Sequence, residues 1–320
     1  MIVYRSIEQI LAPLRNPVVT VGNFDGVHLG HREIFRKLNR SAKEIGGVSV
    51  VITFDPHPLK VVPSSRSVTL INTVEEKINL IEASGVDYLL IIPFDAAFAA
   101  TSAADFIEKT LVNRIGLKRL IIGYDYAFGK GREGDISLLR KLGSTFSFDV
   151  EELSPISDGS INYSSSLIRK MIAEGAVADV IPYLGRNFSI AGRVVHGSSR
   201  GKSLGFPTAN IATDKELLPA DGVYAVKVKI AESLYDAACN IGFNPTFNSG
   251  KKSIEIFIFD LDADLYGKEI RVYFFDRLRA EKRFGTVHEL VTAIETDVDQ
   301  CRKILASSQL VVYREYLGGV

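Results

Sequence analysis

Near residue 185 the hydrophobic pattern of the chain changes, and one kind of core cannot serve both sides of that change. From 17 to about 150, short apolar runs alternate with amphipathic stretches. "VVTVG", "VSVVITF", "YLLIIPF" and "KRLIIG" are strand-length and almost wholly apolar, as buried strands are. Between them, "HREIFRKLNRSAKEI", "TVEEKINLIEASG" and "TSAADFIEKTLVNRI" repeat apolar residues at helical spacing. Thr73 and Gly85 punctuate the second of these as N-cap and C-terminal glycine. Strand–helix–strand repetition predicts a Rossmann-like α/β unit, a parallel sheet with helices on both faces. "SSSLIRKMIAEG" and "AVADVIPYLG" add two short helices. After "RNFSI", the segments "SIAGRVVHG", "GVYAVKVKI", "LYDAACNIGF", "KSIEIFIFD" and "EIRVYFFDRLR" are strands separated by turn residues, without helices between them. That predicts an all-β antiparallel barrel. A single C-terminal helix, about "TVHELVTAIETDVDQCRKIL", follows. Two domains are expected, 1–185 and 186–320, joined by a short linker.

Totals narrow the function. At 320 residues the chain is long enough for two ordinary domains. Lys+Arg and Asp+Glu both number 38, so the net charge is zero and no basic stripe for nucleic acid is present. The longest apolar runs are strand-sized, which argues against a membrane span. The N-terminus lacks the pattern of a secretory signal. Cys239 and Cys301 are isolated, with no C-x-x-C pair, and a reducing cytoplasm is the expected location. Nothing in the sequence fixes an oligomeric state.

"GNFDGVHLGH", residues 22–31, joins the first apolar run to the first amphipathic stretch. Gly22 ends a buried strand, and the helix is expected to start near Gly30. Ligands in such sheets sit beyond the carboxyl ends of strands, and a helix N-terminus favours anions. His28 and His31 straddle the helix start and can meet on one side of its first turn. Glycines at 22, 26 and 30 let main chain approach a polyphosphate without a Cβ in the way. A zinc site would need a Cys or a third histidine nearby, and a dinucleotide fingerprint would need G-x-G-x-x-G; the stretch supplies neither. A glycine-rich turn bearing two surface histidines is the plain structural alternative. The density of special residues favours a phosphate site.

The stretch also resembles the H-x-G-H signature of nucleotidyltransferases, in the form found in the FMN adenylyltransferase module of bifunctional prokaryotic riboflavin kinase/FAD synthetases. Further resemblances follow in order: "TFDPHP" (53–58), "GYDYAFGKGREGD" (123–135), and "SSSLIR" (164–169), which resembles ISSTxIR with Tyr163 and Ser166 in place of Ile and Thr. The resemblance implies adenylyl transfer from ATP to a flavin phosphate. His28 and His31 would donate to the ATP phosphates, and Gly22, Asn23, Asp25, Ser164 and Ser165 would contribute to nucleotide binding. Arg169 would bring a permanent forked charge to the leaving pyrophosphate. Phe54, Pro56, His57, Pro58, Asp125 and Phe128 would be flavin-side contacts, although Phe54 and Phe128 also suit a core and the prolines a stiff turn.

"HGSSRGKSLGFPTAN", 196–210, contains "GKS" but is not a Walker A loop, because the position five before Gly201 is His196 and the following "LGFPTAN" does not open a helix. It resembles the GRxxGxPTAN region of riboflavin kinases, with Lys202 replacing the usual arginine. This implies that Gly201 and Lys202 belong to a loop over ATP, and that Thr208 and Asn210 hold Mg²⁺ with the nucleotide. In "KSIEIFIFD", alternation puts Ile254, Ile256 and Ile258 on one face and Ser253, Glu255, Phe257 and Phe259 on the other. A solvent-facing charge is the ordinary reading of Glu255. The resemblance instead makes it the base that accepts a proton from the ribityl hydroxyl of riboflavin. Phe257 stands where the family often has histidine, and Arg279 and Phe284 are candidate flavin-loop residues. The implied enzyme phosphorylates riboflavin to FMN in its C-terminal domain and adenylylates FMN to FAD in its N-terminal domain, using ATP and Mg²⁺. Two alternatives stand beside it: a nucleotidyltransferase for another phosphate with a non-catalytic flavin-binding barrel, and a flavin- or nucleotide-sensing module.

Overall fold

A computed structural model describes residues 1–62, 68–124, 126–154, 162–197, 201, 204–243 and 252–313. The chain forms two compact units, Met1–Ser165 and Ser166–Val320.

The first unit holds strands β1 (Ile2–Tyr4), β2 (Pro17–Val21), β3 (Val48–Asp55), β4 (Tyr88–Pro93), β5 (Arg119–Gly123) and β6 (Asp149–Leu153). Its main helices are α1 (Leu29–Glu44), α2 (Pro58–Val61), α3 (Val74–Ala83), α4 (Ala96–Ala99), α5 (Ala103–Asp105) and α6 (Ile136–Phe146). The strands form one parallel sheet in the order β1-β4-β3-β2-β5-β6. All five residues of β2 are buried, the consequence of helices on both sheet faces. α1 buries Phe35, Leu38 and Ala42, one stripe at helical spacing. α3 begins as expected at Thr73, whose hydroxyl accepts from Glu76 N while the Glu76 carboxylate accepts from Thr73 N, a reciprocal capping box. The chain moves from β2 to β3 and β4 on one side, then crosses to β5 on the other. The carboxyl end of β2 is therefore the topological switch point, where such sheets bind ligands.

Three features differ from the sequence expectation. β1 and β6 are added edge strands; β1 has three residues and β6, "DVEEL", is too polar to stand out. The stretch 101–115 is helical, but only Ala103–Asp105 is α; Phe106–Ile115 is a π-helix that ends at Gly116 in the left-handed region (φ 85°). β8 of the second unit is also unannounced by pattern, being four residues long and preceded by Pro207.

The second unit contains α7 (Ser165–Glu174), which starts at the last residue of the first, α8 (Ile181–Leu184), and strands β7 (Ser189–Val195), β8 (Ala209–Ala212), β9 (Gly222–Ile230), β10 (Ser233–Phe243), β11 (Lys252–Ile258) and β12 (Glu269–Ala280). α9 (Val287–Ser307) closes it. The strands form a closed antiparallel barrel in the order β10-β11-β8-β7-β12-β9. Closure leaves no sheet edge, and two register shifts in β12 let that long strand curve. Ile254, Ile256 and Ile258 are buried inside, as alternation predicts. A second core lies outside the barrel wall, where Ala225, Phe259, Phe275, Cys301 and Leu305 pack together. Cys301 and Leu305 come from α9, together with the buried Asp297, at intervals of four residues. Arg277 of β12 donates to the Glu174 carbonyl at the end of α7 (3.3 Å), which ties that helix to the barrel. Among the described residues no helix is long and apolar enough to cross a membrane.

Candidate functional site

The loop after β2 is irregular and almost entirely buried. Phe24 and Val27 hold φ of 48° and 39°, and Gly26 holds 86°. Positive φ is uncommon for a bulky aromatic or β-branched residue, so the surroundings must enforce the loop's shape. They do so with polar contacts. Asp25 is 2% exposed and its carboxylate accepts from the main-chain N–H of Ile71 (3.0 Å) and Asn72 (3.3 Å). The Asp25 carbonyl accepts from Ser165 Oγ at 2.8 Å. The Asn23 carbonyl accepts from Thr53 Oγ1 at 3.2 Å. Gly22 lies close against Phe24: a Cβ there would fall 2.9 Å from its ring.

This loop delivers the two histidines to the start of α1. The helix begins one residue before Gly30, with His28 as its N-cap, and its first turn carries no acidic residue. The imidazoles of His28 and His31 stack with ring centroids 3.6 Å apart and an interplanar angle of 22°. The Phe24 ring meets His31 edge-on at 5.2 Å. Donor-capable rings and the main-chain N–H groups of a helix start therefore share one place at the switch point. Gly22, Asn23, Asp25, His28, His31 and Ser165 are brought together, with Ser164 next in the chain. Asp25 shapes the loop, because both carboxylate oxygens point at main-chain amides.

The segment after β3 lies on the same sheet edge. Pro58 opens α2, and the buried His57 caps it, its Nδ1 accepting from Leu59 N at 3.1 Å. Pro56 is exposed. Phe54 belongs to an aromatic run: it lies 6.0 Å from Phe98, Phe98 5.9 Å from Phe106, and Phe106 6.2 Å from Phe128. Phe128 stacks on Tyr126 at 5.3 Å, and burial pushes the Tyr126 phenol well up from its ordinary value. Phe128 also exchanges two main-chain hydrogen bonds with Gly134. Thus Phe54 and Phe128, far apart in sequence, belong to one continuous aromatic strip. Asp125 lies outside the described residues. Arg169 sits half-buried on α7, four residues beyond Ser165.

In the barrel, strand register builds the second site. Glu255 of β11 is paired with Asn210 of β8 on one side and with Asn240 of β10 on the other. Directly opposed residues project to the same face with Cβ atoms about 5 Å apart, so a carboxylate stands between two amides. The row lies on the outer wall, since Ile254 and Ile256 point inward. Glycines of the preceding loop press on it. A Cβ at Gly197 would fall 2.1 Å from Asn210 Nδ2, and one at Gly201 would lie 2.3 Å from the Phe206 carbonyl and 3.5 Å from Thr208 Oγ1. Phe257 lies edge-on to Phe206 at 5.5 Å, which packs the "GFPTAN" turn against the strand carrying Glu255. Lys202 lies outside the described residues. Arg279 directs its guanidinium at the buried Asp297 of α9, with contacts of 2.7–3.1 Å, and lies 5.6 Å above the Phe284 ring. Both therefore secure the segment between β12 and α9.

No group of three or more His, Cys, Asp or Glu suited to a metal occurs among the described residues. Thr208 and Asn210 offer oxygen donors only, which fits a Mg²⁺ ion arriving with nucleotide phosphates and not one held in a protein cage. Sequence reasoning missed Asn240, Thr53 and Lys77. Asn240 emerges from strand register. The other two emerge from burial, and Lys77 is 7% exposed on a helix where a lysine ordinarily faces water.

Comparisons with known proteins agree with this division. Residues 11–167 match the family model described as FAD synthetase, and residues 184–305 that described as riboflavin kinase. A bifunctional riboflavin kinase/FMN adenylyltransferase of Buchnera aphidicola subsp. Acyrthosiphon pisum is 38% identical over 301 residues, covering 93% of this chain and 96% of its own. The Escherichia coli K12 protein of the same name is 37% identical over 287 residues, covering 89% and 92%. A crystal structure described as a macrolide-efflux protein from Streptococcus pneumoniae gives a TM-score of 0.85 at 32% identity, covering 94% of this chain and 98% of that one. From that structure we take the fold.

Proposed function

The chain belongs to the bifunctional riboflavin kinase/FMN adenylyltransferase family, and from that premise we propose that its two units perform successive ATP-dependent steps on one flavin. The C-terminal barrel phosphorylates riboflavin to FMN. The N-terminal unit transfers the adenylyl group of ATP to FMN, giving FAD and pyrophosphate. We set the division between the two domains at Gly185/Arg186, where strand-only patterning begins; the gap between the two family matches, which end at 167 and resume at 184, supports a boundary in this region.

One contrast carries the reading. The barrel keeps a carboxylate, Glu255, between Asn210 and Asn240, whereas the loop with the stacked imidazoles turns its single carboxylate, Asp25, away into main-chain amides. The chemistry differs in the same sense. The ribityl hydroxyl must lose a proton as it attacks the γ-phosphorus of ATP, and Glu255 accepts it as ADP leaves. The FMN phosphate has a second pKa of about 6 and is already mostly ionised at neutral pH, so it attacks the α-phosphorus without a base. Alignment and charge stabilisation then suffice. His28 and His31 donate to the phosphates, the first N–H groups of α1 assist them, and Ser164 and Ser165 bind the nucleotide. Arg169 neutralises the pyrophosphate as it departs. The aromatic strip from Phe54 to Phe128, with Pro56, His57, Pro58 and Asp125, supports the flavin ring.

In the kinase, Gly201 and Lys202 cover the ATP phosphates. Thr208 and Asn210 would hold Mg²⁺, which when bound neutralises phosphate charge. Arg279 and Phe284 shape the flavin side by fixing the segment before α9. The protein works in the cytoplasm; buried thiols at Cys239 and Cys301, the latter pushed up to about 12 by burial, suit a reducing compartment.

Purified protein incubated with riboflavin, ATP and Mg²⁺ tests the reading by chromatography. FMN should appear first and FAD after it, with ADP and pyrophosphate as co-products. Release of neither flavin product would defeat it, and FMN without FAD would defeat its N-terminal half.

A further inference from the structure

Lys77, on α3, is a buried cation that the two-step mechanism leaves unused. Lysine is seldom this deeply buried without partners. Its Nζ donates to Thr53 Oγ1 at 3.4 Å, and that hydroxyl in turn donates to the Asn23 carbonyl at 3.2 Å. Burial pushes the Lys77 ammonium pKa down, and the nearby Asp25 and Asp55 carboxylates oppose that shift. The charge therefore lies behind the loop, with acidic groups of the loop and of β3 around it.

The end of this relay matters. The Asn23 carbonyl belongs to the peptide that leads into Phe24, whose φ of 48° is the uncommon left-handed conformation. Phe24 seats its ring against His31 (5.2 Å) and under Gly22. A hydroxyl that receives a hydrogen bond from a cation becomes a stronger donor, so the ammonium tightens the bond that fixes this peptide. Docking of α3 does not need the charge. The capping box at Thr73 stabilises the helix start by itself, and the Asp25 contacts to Ile71 and Asn72, just ahead of it, already tie that start to the loop.

We propose that Lys77 is a positioning residue for adenylyl transfer, acting through Thr53 on the Asn23 peptide and so on the loop that receives the ATP phosphates. The inference rests on the FMN adenylyltransferase reading of the first unit. It is tested in the full chain with Lys77→Met, Thr53→Val and the double variant. Each is assayed with added FMN for adenylyl transfer and with riboflavin for phosphorylation. Each single change should lower kcat for FAD formation roughly tenfold or more, the size of effect that misplacing aligned groups produces. KM for FMN and both kinase constants should stay within about twofold, and the double variant should be no slower than the slower single, because both cut one relay. Unchanged FAD formation in either single variant would overturn the proposal, as would multiplying effects in the double or an equal fall in kinase activity. If the unsubstituted chain makes FMN but no FAD, the adenylyltransferase reading itself fails and takes this inference with it. A native enzyme that makes FAD beside fully active variants refutes the inference alone.

Discussion

The two loops proposed to bind phosphate are built by opposite local means. Residues 22–31 use unusual dihedrals, with three positive φ values in four positions, and stand on buried polar struts from β3, α3 and Ser165. The barrel loop uses glycine for closeness instead: at Gly197 any Cβ would occupy the place of the Asn210 amide. The first loop runs into a 16-residue helix, whose N-terminus favours an anion. The second runs into a four-residue strand, which has no such dipole; on the proposed function, side chains and Mg²⁺ supply the charge there. On the proposed function the difference has a chemical sense: a carboxylate is kept where a hydroxyl would attack and is diverted where a phosphate would attack.

This comparison is open to direct attack. Glu255→Gln should cut FMN formation by roughly 10²–10⁴-fold while added FMN is still converted to FAD, both followed chromatographically. Loss of both activities would break the separation of sites. His31→Ala is its mirror image and should slow FAD formation by about 10²-fold, with FMN accumulating in a riboflavin-fed assay. Glycine substitutions sharpen the steric contrast. Overpacking at Gly197→Ala is worth about 1–3 kcal/mol, so KM for ATP should rise roughly 5- to 150-fold in the kinase assay alone. Gly22→Ala, pressed on a ring that can shift, should touch FAD formation only and to a smaller extent.

Stability separates the units further. Asp297→Asn weakens the charged hydrogen bonds from Arg279 and should cost the barrel about 2 kcal/mol in thermal or denaturant unfolding, with adenylyl transfer retained. Thr73→Ala removes one half of the capping box and should cost the first unit about 1 kcal/mol, measured the same way.

Much of this was legible beforehand. The four apolar runs of the first half and the five strands of the second half lie where periodicity predicts them, because burial on two sheet faces or one leaves a local imprint. His28 and His31 were legible as chemistry, since imidazoles at a strand-to-helix turn are conspicuous, whereas Glu255 read as a solvent-facing charge and took its role only from the family resemblance. Lys77 was not: on an amphipathic helix a lysine reads as solvated, and only the approach of β3 and the loop buries it. Arg279 read as a candidate flavin-loop residue; its ion pair with Asp297 of α9 was not legible, because the partner lies 18 residues away on another element. The π-helix at Phe106–Ile115 escaped because its apolar positions also fit an α-helix.

By itself the sequence determined most of the secondary elements, their division into an α/β half and a barrel half, and the chemical inventory of both proposed sites. These are local properties, written in periods of two and 3.6 residues and in the reactivity of single side chains. The tertiary structure decided what stands beside what: Glu255 between Asn210 and Asn240, imidazole against imidazole, and a buried ammonium behind a strained loop. Such juxtapositions depend on strand register and crossover order, which join residues distant in the chain and leave no trace in any short window of it.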